Sequence, residues 1–316
     1  MNRERQVIAV GVILDQAGGK VLVSRRPDDV HLGGLWEFPG GKLEPDETCR
    51  NALGRELYEE LGIIVVDARP LIEIKHDYQE ELVSLDVWLV THWQGEPAGR
   101  EGQQIAWVES DNLDGLEFPE ANQPIIRAIK LPDVYGITPD LPDYGRDFFM
   151  RLEKNLVQGL RLLQFRSKQL KRAELHTTLK DIFNLCSLYK CRLLVNGLQD
   201  DSVMNFADGI HLTSKELLEC RTRPLEKEYL VAGSCHNQSE LSQANRLNLD
   251  FAVLSPVYWT GSHQAAVPLG WEQYSRLLDG INIPVYALGG MHYSDIGRAQ
   301  SCGGQGVAML SRLWSD

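Results

Sequence analysis

Glu56, Glu59 and Glu60 are the residues whose type and spacing most plainly suit chemistry. They stand at i, i+3 and i+4, so a helix through them places three carboxylates on one face. Carboxylates that close repel one another unless protons or cations intervene. A hard cation such as Mg2+ takes oxygen ligands and brings substrate phosphates with it. Arg55 precedes Glu59 by four residues and is placed to orient it. Gly40 and Gly41 let the backbone approach such a helix, and their carbonyls can add oxygen ligands. The same three glutamates also fit a solvated acidic helix face.

Positioning these groups needs a folded domain, and the chain is long enough for two. It has 316 residues, 43% hydrophobic and 24% charged, which argues against a disordered or collagen-like chain. The apolar run Val7 to Leu14 falls far short of the roughly 20 residues that span a bilayer. The opening MNRERQ has no apolar core before a cleavage site, so no secretory signal is expected and a cytoplasmic location is the default. The net charge of -12 is uneven. Residues 1–130 hold 24 acidic and 13 basic residues, and that excess repels a phosphate polymer, so no nucleic-acid partner is expected. None of the six cysteines forms a C-x-x-C pair or a zinc-type cluster, which fits free thiols in a reducing compartment.

Strands are expected at 7–14 and 20–24, then a Gly/Pro-rich loop from Gly33 to Gly41. A helix follows over 46–61, with Ala52, Leu53, Leu57 and Leu61 on its apolar face and Gly62 as C-cap. Further strands fall near 71–78, 82–91 and 105–108, and a last helix runs from about Asn122 to Lys130. After Leu131-Pro132-Asp133 the rhythm changes. Eight short apolar stretches, from VYGIT at 134–138 to GVAMLS at 306–311, alternate with helix-length segments. Repeated βα units imply a parallel sheet, and eight suggest closure. The expected architecture is an α+β domain over 1–131 and a compact (β/α)8 TIM-type barrel over 132–316.

Residues 41–63 resemble the signature of the Nudix hydrolases at every defining position. Gly41 is followed after five residues by Glu47. Seven residues later comes Arg55-Glu56-Leu57-Tyr58-Glu59-Glu60-Leu61-Gly62-Ile63. The resemblance implies an α+β Nudix fold and Mg2+-dependent hydrolysis, with Mn2+ as a possible substitute, of a nucleoside diphosphate linked to another group. Outside the signature, residues 9–13, 24–42, 93–103 and 118–126 resemble the MutT-type 8-oxo-dGTP diphosphatases, which sanitise the nucleotide pool against mutation. That resemblance implies that Arg26 and His31 bind the nucleotide and that Glu37, Phe38, Pro39 and Gly40 line the site. It implies that Glu56, Glu59, Glu60, Glu101 and the Gly40 carbonyl hold metal, with Glu56 nearest the attacking water. It gives Asn122 the base. Oxidation at C8 turns guanine N7 from acceptor to donor while O6 remains an acceptor, and a carboxamide offers one acceptor beside one donor. Asn122 also fits a helix N-cap ahead of Pro124, His31 a surface residue, and Arg25-Arg26 a surface pair. A basic substrate-gripping residue of the relatives is replaced near Glu80-Glu81.

Residues 134–311 resemble thiamine phosphate synthase and its relative, the thiazole tautomerase TenI. Gln164-Phe165-Arg166-Ser167-Lys168 matches a pyrophosphate-gripping Gln-x-Arg-x-Lys, Asn196 fits an Asn-Asp pair, and Ala207 to Leu212 fits a characteristic strand. Leu288-Gly289-Gly290 suits a phosphate cradle. On this resemblance Gln164, Arg166, Lys168, Asn196, Gly289 and Gly290 would hold a phosphorylated ligand. The sequence departs where the synthase has its aspartate (Gly197), its loop lysine (His263, after Thr260-Gly261-Ser262) and the tautomerase histidine (Pro256). Glu216 stands at the second acidic position, and His211 and His236 suit either catalysis or structure. The expectation is a nucleotide hydrolase whose barrel binds a ligand or regulates. The alternatives are a Nudix hydrolase of another nucleotide or a thiamine-related pyrophosphate, or a bifunctional enzyme that also makes thiamine phosphate.

Overall fold

The computed structural model describes residues 5–30, 32–78, 82–199, 201–260 and 267–315. The chain divides into two compact units, residues 1–130 together with 280–282, and residues 131–279 together with 283–316.

The first unit contains β1 (Gln6–Leu14), β2 (Lys20–Arg25), β3 (Trp36–Glu37), β4 (Gly40–Lys42), α1 (Cys49–Leu61), β5 (Ile64–Asp77), β6 (Leu82–Gln94), β7 (Ile105–Glu109) and α2 (Gln123–Lys130). Its seven strands form one mixed sheet in the order β3-β2-β1-β6-β5. β4 pairs with β1 and β7 with β2. The long β1–β6 ladder is parallel and the other pairings are antiparallel. Successive strand side chains face opposite ways. Ala9, Ile13, Leu22 and Val90 therefore meet α1 on one face, while Val10, Val12, Val21, Val23 and Val87 pack with Ile125, Ile126 and Ala128 of α2 on the other. Leu53, Leu57 and Leu61 of α1 are fully buried, each stabilising by about 1.5–3 kcal/mol.

Three local expectations shift. Residues 33–41 hold the two short strands β3 and β4 and are not one loop. α1 starts at Cys49 and not at residue 46, because Glu44 to Glu47 form a turn and the Thr48 side chain caps the helix by accepting from Asn51 N. α2 begins at Gln123, after a single 3-10 turn over Glu120–Asn122.

The second unit begins with β8 (Val134–Ile137), α3 (Arg146–Val157), β9 (Leu162–Phe165), α4 (Arg172–Leu188), β10 (Arg192–Asn196) and α5 (Asp201–Met204). It continues with β11 (Gly209–Leu212), α6 (Ser214–Glu219), β12 (Leu230–Cys235), α7 (Gln238–Arg246), β13 (Phe251–Leu254), α8 (Gly270–Leu278), β14 (Val285–Ala287), α9 (Ile296–Ser301) and β15 (Gly306–Met309). All eight expected strands form. They are parallel and close as β10-β11-β12-β13-β14-β15-β8-β9. Tyr135, Leu162, Leu194, Phe251 and Tyr286 fill the interior, so the barrel is a packed core and not a pore. All six cysteines are free. Among the described residues no helix is long and apolar enough to cross a membrane.

Candidate active site

The acidic face of α1 is organised by one cation. The Arg55 guanidinium donates to both carboxylate oxygens of Glu47, at 3.1 and 2.8 Å, to Glu56 at 2.8 Å and to Glu59 at 3.2 Å. It also donates to the Lys42 carbonyl at 3.1 Å, which ties the helix to the end of β4. The partnership with Glu47 first, then Glu56, holds Arg55 protonated well above its ordinary range. Glu47 is in the signature, yet its spacing alone gave it no role. The structure makes it the fork that fixes the Arg55 plane.

Glu60 is held differently. It accepts from the Gly40 backbone N–H at 3.1 Å. Burial, then the charges of Glu37, Glu56 and Glu101, push its carboxyl up to about 8, and the Gly40 N–H pulls the other way. Two glycines make this crowding possible. A Cβ at position 41 would lie 2.2 Å from the Glu56 carboxyl carbon, and one at position 40 would lie 2.1 Å from the Ala9 carbonyl oxygen. Gly40 also has φ 148°, which other residues rarely adopt. The signature glycine at 41 is thus a steric requirement of Glu56.

The donor set suits a hard dication. It consists of oxygens alone, with Glu37, Glu56, Glu60 and Glu101 close enough to raise a proton affinity, and Gly40 beside them. Among the described residues no three carboxylates already surround one point. Arg55 supplies the positive charge for Glu56, and Glu59 is half exposed on the Arg55 side.

The rest of the expected pocket is assembled from two segments. Trp36 N donates to the Glu117 carbonyl at 2.8 Å, which sets β3 beside the stretch that precedes α2. Phe38 then stacks on Phe118, with centroids 5.3 Å apart and planes at 20°. Arg26 forms an ion pair with Glu37. Burial raises the Glu37 carboxyl, and Arg26 offsets part of that rise. The Pro39 carbonyl accepts from Gly11 N at 2.8 Å, fixing the turn into β4. Asn122 is 8% exposed, and among the described residues its carboxamide has no hydrogen-bond partner. Its amide atoms are not among the fully buried polar atoms that lack a partner, so the edge of the carboxamide is reached by solvent. As an N-cap its side chain would take an amide N–H of α2, and it takes none. His31 and Glu80-Glu81 lie outside the described residues.

Glu101 sits on the segment between β6 and β7. Ala98 N donates to the Leu61 carbonyl at 3.0 Å and Arg100 N to the Glu60 carbonyl at 2.9 Å, so this segment takes up carbonyls that the end of α1 leaves open. The Gln103 carboxamide accepts from Glu101 N at 2.9 Å and donates to the Glu60 carbonyl at 3.1 Å.

The second candidate site is the C-terminal mouth of the barrel. Gln164, 3% exposed at the end of β9, donates to Asn196 at the end of β10 at 2.9 Å. The guanidinium of Arg166 and the ammonium of Lys168 meet no carboxylate among the described residues. The N–H groups of Gly289 and Gly290 have no acceptor there. Glu216 is committed elsewhere. It accepts from Leu198 N, Thr213 N and the Thr213 hydroxyl in a capping box that opens α6. Burial works to raise its carboxyl, but these bonds hold it below its ordinary value. Gly197 has φ 80°, and a Cβ there would lie 3.1 Å from a Glu216 oxygen. His211 is fully enclosed between the Tyr135 hydroxyl at 3.0 Å and the Ser234 hydroxyl at 2.9 Å, and burial, then Arg166, lowers it to about 3. His236 contacts the Ser255 carbonyl at 2.9 Å. Gly261, Ser262 and His263 lie outside the described residues.

Residues 9–128 match the NUDIX domain family, and residues 134–313 match the family described as thiamine monophosphate synthase. An 8-oxo-dGTP diphosphatase of Escherichia coli K12 is 38% identical over 123 residues, covering 39% of this chain and 95% of that protein. Another, from Proteus vulgaris, is 43% identical over 102 residues, covering 32% of this chain and 90% of that protein. A putative thiamine-phosphate synthase 2 of Aquifex aeolicus VF5 is 35% identical over 183 residues, covering 58% of this chain and 98% of that protein.

Proposed function

This chain belongs to the Nudix family through its first domain and to the thiamine monophosphate synthase family through its second, and we propose that the first, residues 1–131, hydrolyses 8-oxo-dGTP to 8-oxo-dGMP and pyrophosphate. The chain is a Nudix hydrolase, and both families act on small phosphorylated molecules. The oxidised nucleotide is our reading, and the uncommitted carboxamide of Asn122 carries it. A carboxamide on a mostly buried residue, its edge open to solvent and with no partner among the described residues, is suited to accept from N7–H and donate to O6 of the oxidised base. Against ordinary guanine one contact becomes repulsive, at a cost of about 1–3 kcal/mol.

In this reading Mg2+, when bound, activates water and neutralises charge at phosphorus. Glu56, Glu60, Glu101 and the Gly40 carbonyl hold it, with Glu59 alongside. Arg55 holds Glu56 oriented toward the attacking water through its hydrogen bond, and Glu47 keeps Arg55 in plane. Arg26 and His31 grip the nucleotide, and Phe38 and Phe118 form the apolar wall near the base. Steady-state turnover at equal 8-oxo-dGTP and dGTP tests the reading. A clear preference for the oxidised nucleotide is expected, and equal rates would remove the sanitising role.

For the barrel, residues 132–316, we propose binding of a phosphorylated ligand through Arg166, Lys168, Gln164, Asn196 and the N–H groups of Gly289 and Gly290, without a divalent cation. The acidic positions do not fit Mg2+: one is Gly197 and the other, Glu216, is already filled by three hydrogen bonds. The similarity to the Aquifex protein favours a second reading, a bifunctional enzyme with synthase activity. Supplying a pyrimidine pyrophosphate and a thiazole phosphate separates the two, since appearance of thiamine phosphate establishes the second.

A further inference from the structure

Among the described residues, Gln103 is the side chain that bonds both to Glu101 N and to the backbone of Glu60. We propose that Gln103 is a positioning residue for the cation site: its carboxamide clamps Glu101 against the last turn of α1. This rests on the metal-site reading above and adds a residue to it.

The argument starts from the helix end. The last four carbonyls of a helix lack intrahelical partners. In α1 two of them are met from the 95–104 segment, Leu61 O by Ala98 N and Glu60 O by Arg100 N; Tyr58 O takes the cap Gly62 N at 3.0 Å and also the Arg100 guanidinium at 3.2 Å. Those bonds dock residues 98–100 and stop one residue short of Glu101. Beyond them the chain turns through Gly102, whose N–H reaches Gly99 O at 3.4 Å and whose φ is 82°. Without another restraint, the exposed Glu101 would swing on that turn. Gln103 supplies the restraint at both ends, accepting from Glu101 N at 2.9 Å and donating to Glu60 O at 3.1 Å. A single rigid amide plane thus ties the backbone of Glu101 to that of Glu60. Holding a ligand pair at its working distance lowers the ordering cost of binding, and groups that orient ligands commonly govern metal affinity by about 10–100-fold.

A merely structural role would hold the segment without regard to Glu101, and a double-mutant cycle separates the two cases. Mn2+ binding to the full-length chain is measured by the free-ion electron paramagnetic resonance signal, with no substrate present. Gln103→Met keeps the side-chain volume and removes both hydrogen bonds; Gln103→Ala checks that the result does not depend on the replacement. The docking bonds of Ala98 and Arg100 remain in both. Each is predicted to weaken Mn2+ binding about tenfold. In a Glu101→Ala background the same change is predicted to have no further effect. Full affinity in Gln103→Met, or an equal loss with and without Glu101, overturns the proposal. A Glu60→Gln control keeps the underlying reading separate: if it binds Mn2+ as the native chain does, the metal-site reading itself falls.

Discussion

The two candidate sites preserve different things. On α1 every acidic position of the signature is present, and the backbone around it is shaped to crowd the carboxylates: Gly41 leaves room for Glu56, and Gly40 gives its N–H to Glu60. At the barrel mouth the scaffold is intact, with eight strands closed in register and Gln164 bonded to Asn196. Of the anionic positions, though, one is a glycine and the other a helix cap. The first region keeps its acidic positions, and the second keeps its basic ones, with Arg166 and Lys168 meeting no carboxylate among the described residues. A fold can therefore be kept while some of the charges its relatives carry are lost.

The contrast can be broken most forcefully at Glu60. Glu60→Gln removes the half-buried carboxylate that the charges of Glu37, Glu56 and Glu101 act on, and turnover is expected to fall at least ~100-fold in steady-state assays. The barrel's ligand affinity should be unchanged. Gly41→Ala is expected to cost about 10–100-fold, because the added methyl must displace the Glu56 carboxyl. Its thermal unfolding should stay near that of the native chain, which calorimetry would check. Asn122→Ala is expected to lower the preference for 8-oxo-dGTP over dGTP by about 10–100-fold while dGTP turnover changes little. Unchanged selectivity would return Asn122 to a structural role.

The smallest effect on hydrolysis, none, is expected from His211→Gln in the barrel interior, whose effect is on stability. His211 stays neutral in the fold down to about pH 3, whereas in the unfolded chain it takes a proton near pH 6.5. The unfolded state then binds more protons between those values, so barrel stability falls as pH drops through that window. His211→Gln should flatten the slope, and ring-nitrogen NMR should find the imidazole neutral, with one bare nitrogen, at pH 5.

The barrel was legible because its strands are short apolar runs at regular spacing, and every one of the eight formed. The first domain was less so. β3 and β4 are two and three residues long and carry Gly40 and Gly41, so no periodicity announces them; pairing with β2 and β1 creates them. Glu56 and Glu60 were visible from helical spacing, but not that Arg55 divides its bonds among Glu47, Glu56 and Glu59. Glu216 looked like a spare acidic ligand in the sequence. Only the structure reveals Thr213 three residues earlier completing a capping box. Gln103 closes the 93–103 stretch that resembles the MutT-type enzymes, but nothing in the sequence gave it a role, because that role depends on a carbonyl more than forty residues away.

One measurement addresses both regions together. Crystals of the full chain soaked with Mn2+ and a nonhydrolysable nucleotide triphosphate can be examined for anomalous scattering. The account predicts a peak among Glu56, Glu60, Glu101 and the Gly40 carbonyl, and none between Asn196 and Glu216. A peak at the barrel mouth with none on the α1 face would contradict it.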